Sequence, residues 1–512
     1  MLTRAGQLLI AVIGGLPAAF LVGTGPAAAA PARTPAGATL RARAHQLTRP
    51  RPLGIVVHVT QTAPLPLQLL ARLPEMRMKP GRAPSRMVVH VQSGVHYQQI
   101  LGFGATLTDS SAWLISHELA PARRGELMRR LFSSRGIDLS YLRLPMGASD
   151  FTAAGKPYSY DDMAAGRSDP GLRRFSVAHD APYIIPTLRQ ALAIHPGLFL
   201  LGNPWSAPNW MKANQRSDNF NGTGTLLPTD YGPLAAYFVR FVQAYRRLGI
   251  PIDAVTPQNE PVVAADPGMQ LSEPEEAAFI TQYLHPAFAA AGLSTQIYGH
   301  DLSWDMWAWA DALATGPAAG ALSGISWHCY FGNPTAMTQL HALAPHLIQL
   351  VNECSPEVRP FSTADALIGS LRNGASAVAL WNLALNPAGG PVQPPNIRCP
   401  DCRGVVTIDE ATHRAYPGPT YYELGQVSKF VASGAIRIAA NTFVTDGMNP
   451  LYSNFYEPTP GLDDVAFVNP DGGKVLVTYN GSPTPIRFAL SWNGRVLRYS
   501  QPAGAMTTFT WR

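Results

Sequence analysis

The chain has 512 residues, of which 46% are hydrophobic and 14% charged, so it is not a disordered protein and holds enough apolar material for more than one domain. The net charge of +6 sits in the first 52 residues: Arg4, Arg33, Arg41, Arg43, Arg49 and Arg51 lie there without an acid. Taking those six from the 39 lysines and arginines leaves 33, matched by 33 Asp and Glu, and a neutral body offers no footprint for nucleic acid.

In chain order, Arg4 precedes the apolar run LLIAVIGGLPAAFLVG, and GPAAAA then supplies small residues suited to cleavage. Residues 1–30 therefore read as a secretory signal, with export to the extracellular space or periplasm. A membrane anchor is the alternative, opposed by the shortness of the run and by Gly14, Gly15 and Pro17 within it. No later segment is apolar enough to span, so no stable membrane span is expected after signal removal. Residues 31–52, rich in Ala, Pro and Arg, read as a disordered lead-in.

Residues 53–97 carry the strand-like runs GIVVHVTQTA and RMVVHVQSG, and residues 433–512 carry RIAANTF, VAFVNP, KVLVTYN, IRFALSW and MTTFTWR, split by turn residues. The two flanks predict one β-sandwich built from both ends. Between them, over 98–432, eight apolar runs alternate with helical patterns: QILGFG, LSYLRLPM, LFLLGNPW, DAVTPQNE, TQIYGHD, GISWHCY, LIQLVNE and SAVALWN. The runs are continuous rather than alternating, as in parallel strands covered on both faces. The predicted fold class is α/β, a (β/α)₈ TIM barrel with an attached β-sandwich. An open doubly wound sheet would show the same periodicity.

In such a barrel, chemistry gathers where strands end. There lie Asp109, Arg143, Trp205, Asn259, Glu260, His328, Tyr330, Glu353, Trp381 and Asn382. A strand-terminal glutamate is often a structural ion-pair partner. Two of them, on the fourth and seventh runs, face each other across the mouth, and opposed carboxylates with aromatic walls suit glycoside cleavage by acid and nucleophile. Trp205 and Trp381 read equally as sugar platforms or core; Asp109 and Asn382 read as hydroxyl ligands or as turn and helix caps. No G-x-S-x-G, H-E-x-x-H, P-loop or strand-linked G-x-G-x-x-G appears, and the 13 histidines show no metal spacing, so neither metal nor cofactor is expected. Cys399 and Cys402 form C-P-D-C, read as a local disulfide over a zinc half-site or redox pair. Cys329 and Cys354, each in an apolar run, read as buried thiols.

ILGFGATLTDSSAWL, LRLPMGASDF, GNPWSAPNWMK, TPQNEP, WHCYFG, NECS and ALWNLALNPAGGP occur in this order from about residue 98 to 432. Together they resemble glycoside hydrolase family 30, the glucosylceramidase family. The resemblance implies a barrel with a β-sandwich and retaining hydrolysis of β-glycosides, with Glu260 as acid/base and Glu353 as nucleophile. It places Asp109, Trp205, Asn259, Tyr330 and Trp381 at the glycone pocket; His328 and Asn382, read from their strand-end positions, are further substrate-binding candidates. Asn352 and Asn203 depart from the threonine and serine commoner in relatives, and PNIRCPDCRGVVTID looks like a loop of bacterial members. The expected function is an exported, glucosylceramidase-like β-glucosidase. The expected partner is a β-glycoside: glucosylceramide, a β-glucan or a small β-glucoside. Endo-β-1,6-glucanase and β-xylosidase are alternatives within the family. A non-catalytic carbohydrate-binding protein is the alternative of another class; a non-hydrolytic interaction protein using the sandwich has no positive feature.

Overall fold

The computed structural model describes residues 54–84, 86–392, 399–441 and 456–512. The signal and lead-in expectations, residues 1–52, lie outside them. Five strands open the described chain: β1 (Ile55–Ala63), β2 (Gln68–Arg72), β3 (Met76–Pro80), β4 (Val88–His90) and β5 (Gln92–Gln99).

Eight strands follow with helices between them: β6 (Gly102–Thr106), β7 (Tyr141–Pro145), β8 (Phe199–Asn203), β9 (Ala254–Val255), β10 (Gln296–Ser303), β11 (Gly324–His328), β12 (Ile348–Glu353) and β13 (Ala375–Leu380). Every neighbouring pair is parallel, and β13 returns to β6 through Ala377 opposite Gly102 and Leu380 opposite Ala105. That last pairing closes the barrel and excludes the open sheet. All eight apolar runs are strands. Inside, Tyr141, Leu201, Ala254, Tyr298, Leu350, Ala377 and Ala379 fill the barrel as a packed core.

A small three-stranded sheet, β14 (Ala384–Leu385), β15 (Val406–Asp409) and β16 (Arg414–Pro417), follows the last barrel strand and was not foreseen. The chain then enters β17 (Ile436–Ala439), β18 (Leu462–Val468), β19 (Lys474–Asn480), β20 (Ile486–Trp492), β21 (Arg495–Gln501) and β22 (Met506–Trp511). These join the first five strands in one 11-stranded sheet ordered β4-β20-β21-β3-β1-β22-β19-β18-β17-β5, with β2 on β1. β1 pairs with β3 through Ile55–Val57 and with β22 through His58–Thr62, so one strand serves both layers of the sandwich. Val57, Val59, Met78, Leu476, Leu490, Phe509 and Trp511 pack between them.

Barrel closure limits what fits between strands. A Cβ on Gly104 would lie 1.6 Å from the Tyr141 carbonyl oxygen, a backbone atom that cannot step aside. Gly104→Ala should cost at least the ~1–3 kcal/mol typical of overpacking, read as a lower melting temperature. Gly94→Ala, where nothing lies within 4 Å, is the control and should melt like the parent. Equal melting of the two variants would refute the packing argument.

Candidate active site

The C-terminal ends of the barrel strands surround a cavity of about 560 Å³. Its wall includes Asp150, Trp205, Asn259, Glu260, Tyr330, Glu353 and Trp381, together with the C-P-D-C segment Cys399–Cys402. Glu353 is the last residue of β12. Glu260 follows β9 in a loop and adopts φ +43°, a left-handed conformation uncommon for a non-glycine residue. Its amide donates to the Asp301 carbonyl at 3.2 Å, which fixes that turn against the neighbouring strand.

Both oxygens of Glu353 are taken. Arg143, fully buried on β7, donates to Oε2, and the Tyr330 hydroxyl donates to Oε1 at 2.7 Å. Burial, followed by Glu353 and Glu260, holds the Tyr330 phenol well above its usual pKa, so it serves as a neutral donor. Glu260 Oε1 lies 3.1 Å from His328 Nδ1. One oxygen of each glutamate and a nitrogen of His328 fall within 4.8 Å of one another.

Beneath the glutamates lies a carboxylate that the sequence reading passed over. Asp301 sits at a bulge in β10, where His300 and Asp301 both have positive φ and the register with β11 shifts. The bulge turns its side chain inward. Oδ2 accepts from Arg143 at 3.0 Å, Asn203 at 2.8 Å and Thr256 at 3.3 Å. Oδ1 accepts from Ser326 at 2.6 Å and Asn352 at 3.0 Å, with His328 Nε2 at 3.5 Å. Burial alone would raise its pKa. Arg143 and then His328 outweigh burial and hold it well below the usual carboxylate range. Asn203 and Asn352, the two departures from the family pattern, thus both serve this one carboxylate.

His328 shows the reciprocal effect. Burial would depress it, but Glu353 and Asp301, with hydrogen bonds to Asp301 and Glu260, push its pKa up to about 10. Both ring nitrogens then carry protons. By distance Glu260, His328 and Glu353 form a possible metal trio. An imidazolium has no lone pair to give, and Arg143 adds a second positive charge, so these residues do not fit a cation.

Trp205 and Trp381 stack on each other, 5.2 Å apart at 25°, and the Arg143 guanidinium lies 4.6 Å and 5.6 Å from their rings. They are core and cavity wall at once, and Cys402 packs against them. Asn259 reaches the wall while accepting from Arg143 at 2.6 Å.

Three expected site residues are not on the wall. His328 lies behind the glutamates. Asp109, at the start of the helix Asp109–Trp113, is turned toward the 151–183 segment, accepting from the Ala153 amide at 2.7 Å, Tyr183 at 2.7 Å and Tyr158 at 3.3 Å, with His179 at 2.8 Å. Asn382, at φ +64°, accepts from Thr108 at 2.8 Å and ties the end of β13 to the loop after β6. Asp150 lies on the wall instead, as do Asp266, Asp305 and Asp401. Asp150 Oδ1 is buried without a hydrogen-bond partner among the described residues. Burial, then Glu353 and Glu260, push its pKa up to about 7. It lies within LRLPMGASDF, a motif noted in the sequence without singling out this residue.

The cysteine reading needs one correction. Cys399–Cys402 is a disulfide as expected, but Cys329 and Cys354 are not thiols; they are bonded to each other, with Cα atoms 5.1 Å apart. His328 pairs with Glu353 across β11 and β12, so the residues that follow each of them are neighbours. The bond therefore fastens the nucleophile-candidate strand to the imidazolium strand.

Residues 100–431 match the glycosyl hydrolase family 30 TIM-barrel domain, and residues 434–509 match the family's beta sandwich domain. The chain is 32% identical over 446 residues to an endo-1,6-beta-D-glucanase of Aspergillus fumigatus, covering 83% of this chain and 87% of the relative. It is 28% identical over 463 residues to the lysosomal acid glucosylceramidase of Mus musculus, covering 84% and 85%. A solved endo-beta-1,6-glucanase superposes with TM-score 0.76 at 26% identity, over 89% of this chain and 99% of that one.

Because its folded pKa of about 10 exceeds the ordinary 6.5, the His328 imidazolium contributes stability that is complete below pH 6.5 and lost as pH rises through about 10. Asp301→Asn keeps the shape and removes the charge. In that variant the His328 titration, followed by NMR, should move to lower pH, and the alkaline loss of melting temperature should begin earlier. An unchanged titration would contradict the coupling.

For the disulfides, mapping without reduction should recover the Cys329–Cys354 link. By chain entropy a loop of this span is worth about 3.5 kcal/mol, so Cys329→Ala/Cys354→Ala should melt well below the parent. A free thiol at either position would reverse the assignment.

Proposed function

The chain belongs to glycosyl hydrolase family 30, and we propose that it hydrolyses β-1,6-linked glucan with Glu353 as nucleophile and Glu260 as acid/base. The observation that carries the two roles is the approach of the glutamates to within 4.8 Å. An approach of one oxygen from each glutamate to within that distance suits the close pair of retaining enzymes, ~5–5.5 Å between carboxyls, better than the ~6.5–9.5 Å of inverting ones.

Glu353, held by Arg143 and Tyr330, attacks the anomeric carbon while Glu260 protonates the departing oxygen. A covalent glycosyl-enzyme forms. Glu260, now a base, takes a proton from water as it attacks that carbon, and Glu353 is released. His328 aims Glu260 through its Nδ1 proton. The unpartnered Oδ1 of Asp150 is placed to take a sugar hydroxyl, and Trp205 and Trp381 form the apolar wall beside it.

The sequence alone put a glucosylceramide-like β-glucoside first. The 32% identical relative, named an endo-1,6-beta-D-glucanase, moves β-1,6-glucan ahead of it. One observation keeps glucosylceramide as the second reading: Val262, Val263 and Phe331 line the cavity at 38%, 37% and 42% exposure, an apolar rim suited to an apolar aglycone. The reading includes export. Two disulfides support it, since such bonds persist in oxidising compartments.

A panel of β-1,6-glucan, glucosylceramide in micelles, an aryl β-glucoside and a β-xyloside should show the highest kcat/KM on the glucan. Preference for the lipid would replace the first reading with the second, and binding without turnover would make the protein a carbohydrate binder. Glu260→Ala should lose about 10²–10⁴-fold on unactivated substrates, and azide should restore its turnover of an aryl glucoside as the β-glycosyl azide. Glu353→Ala with azide should give the α-product. Near-parental turnover by either variant would remove that residue from its role.

A further inference from the structure

At the base of the barrel, away from the glutamates, a second cavity of about 710 Å³ opens between the strand starts of β12 and β13 and the sandwich strands β5 and β17. Its wall holds Arg372, Arg437 and three histidines, His96, His341 and His346, with no aspartate or glutamate. That one-sided charge is unusual in a body whose charges otherwise balance.

The two arginines differ in their partners. Arg372 donates to the Asp464 carbonyl at 2.6 Å and lies 3.5 Å from its carboxyl group, whose pKa burial holds well above the usual range despite the arginine. Arg437 has no carboxylate partner among the described residues. Its Nε donates to Gln98 Oε1 at 2.8 Å and its guanidinium carbon lies 3.7 Å above the Tyr97 ring. Those contacts fix the plane of the group and leave both terminal nitrogens without a hydrogen bond among the described residues. The backbone contributes: the β5–β17 register shifts between Ile436 and Ile438, so Arg437 stands at an irregularity opposite Tyr97 and Gln98. Burial, then the nearby Arg372, lowers the Arg437 pKa to about 10, the signature of a cation short of a counter-charge. A planar guanidinium presenting its two terminal nitrogens along one edge matches an oxyanion in bidentate geometry.

We propose that this cavity binds a phosphate-bearing small molecule, free phosphate or a phosphate ester, through the terminal nitrogens of Arg437. The cavity is larger than phosphate alone needs, which leaves space for the organic part of an ester. Because the site joins barrel base to sandwich, an occupant stabilises the folded chain without touching the glutamates.

Full-length protein is titrated with inorganic phosphate, with ribose 5-phosphate, and with sodium chloride at matched ionic strength, following melting temperature and heat of binding. A saturable rise with either phosphate compound, beyond that of chloride, is expected, and tighter binding of the ester would identify it as the preferred form. Arg437→Gln should weaken the response at least tenfold while glycosidase activity and circular dichroism stay as in the parent. Arg437→Lys, which keeps the charge but not the planar geometry, should weaken it less. No saturable response in the parent, or an equal response in Arg437→Gln, would overturn the proposal.

Discussion

The site depends on one buried ionic contact, Asp301 with Arg143 and His328. An arginine and a doubly protonated histidine, both fully enclosed, cannot be held in a protein interior without negative charge close by. Asp301 meets both from below, and the two glutamates meet them from above. The five residues come from or just after β7, β9, β10, β11 and β12, so the charges come together only when the barrel has closed. Breaking such a buried pair costs about 3–5 kcal/mol, while its net worth against a packed apolar core is often near zero. The cluster is therefore better understood as a device for geometry than for stability. It holds Glu353 and Glu260 at a fixed distance, with their hydrogen-bond partners already chosen.

The wall above the cluster is built on the same principle of shared roles. The paired tryptophans stack beside Arg143 and also line the cavity. Cys402 packs behind them, so the short C-P-D-C disulfide loop forms part of the same wall. A change in that loop would be felt at the tryptophans before it was felt at the glutamates.

What the sequence disclosed follows from burial. The barrel strands are covered on both faces and read as unbroken apolar runs, so even the two-residue β9 was visible through DAVTPQNE. β3 alternates methionine with arginine and lysine, β2 and β21 mix apolar with polar residues, and all three are only partly buried, so their signals were too weak to separate from loops. Glu260 and Glu353 were legible because each ends a run. Asp301 ends TQIYGHD in the same way, and that signal was there to be used. Asp109 and Asp150 illustrate the limit. Asp109 opens a helix just after β6 and Asp150 lies in the loop after β7, and in both places side-chain direction is set by local backbone geometry that one sequence does not reveal. The link between Cys329 and Cys354 was hidden for a related reason: it rests on the register of β11 with β12, a relation between two segments rather than a property of either.

The strand β1 has a consequence for how the molecule is assembled. Its residues His58 to Thr62 take their hydrogen bonds from Thr510 to Met506, partners separated by nearly the whole chain. Contacts of such long range form late, because the intervening loop must be closed first. A chain emerging from the ribosome can complete its barrel while β1 still waits with an open edge. During that interval the unpaired strand is a place where another copy can add itself. Delaying folding until the last residues are available, as transport across a membrane in extended form does, removes the interval altogether.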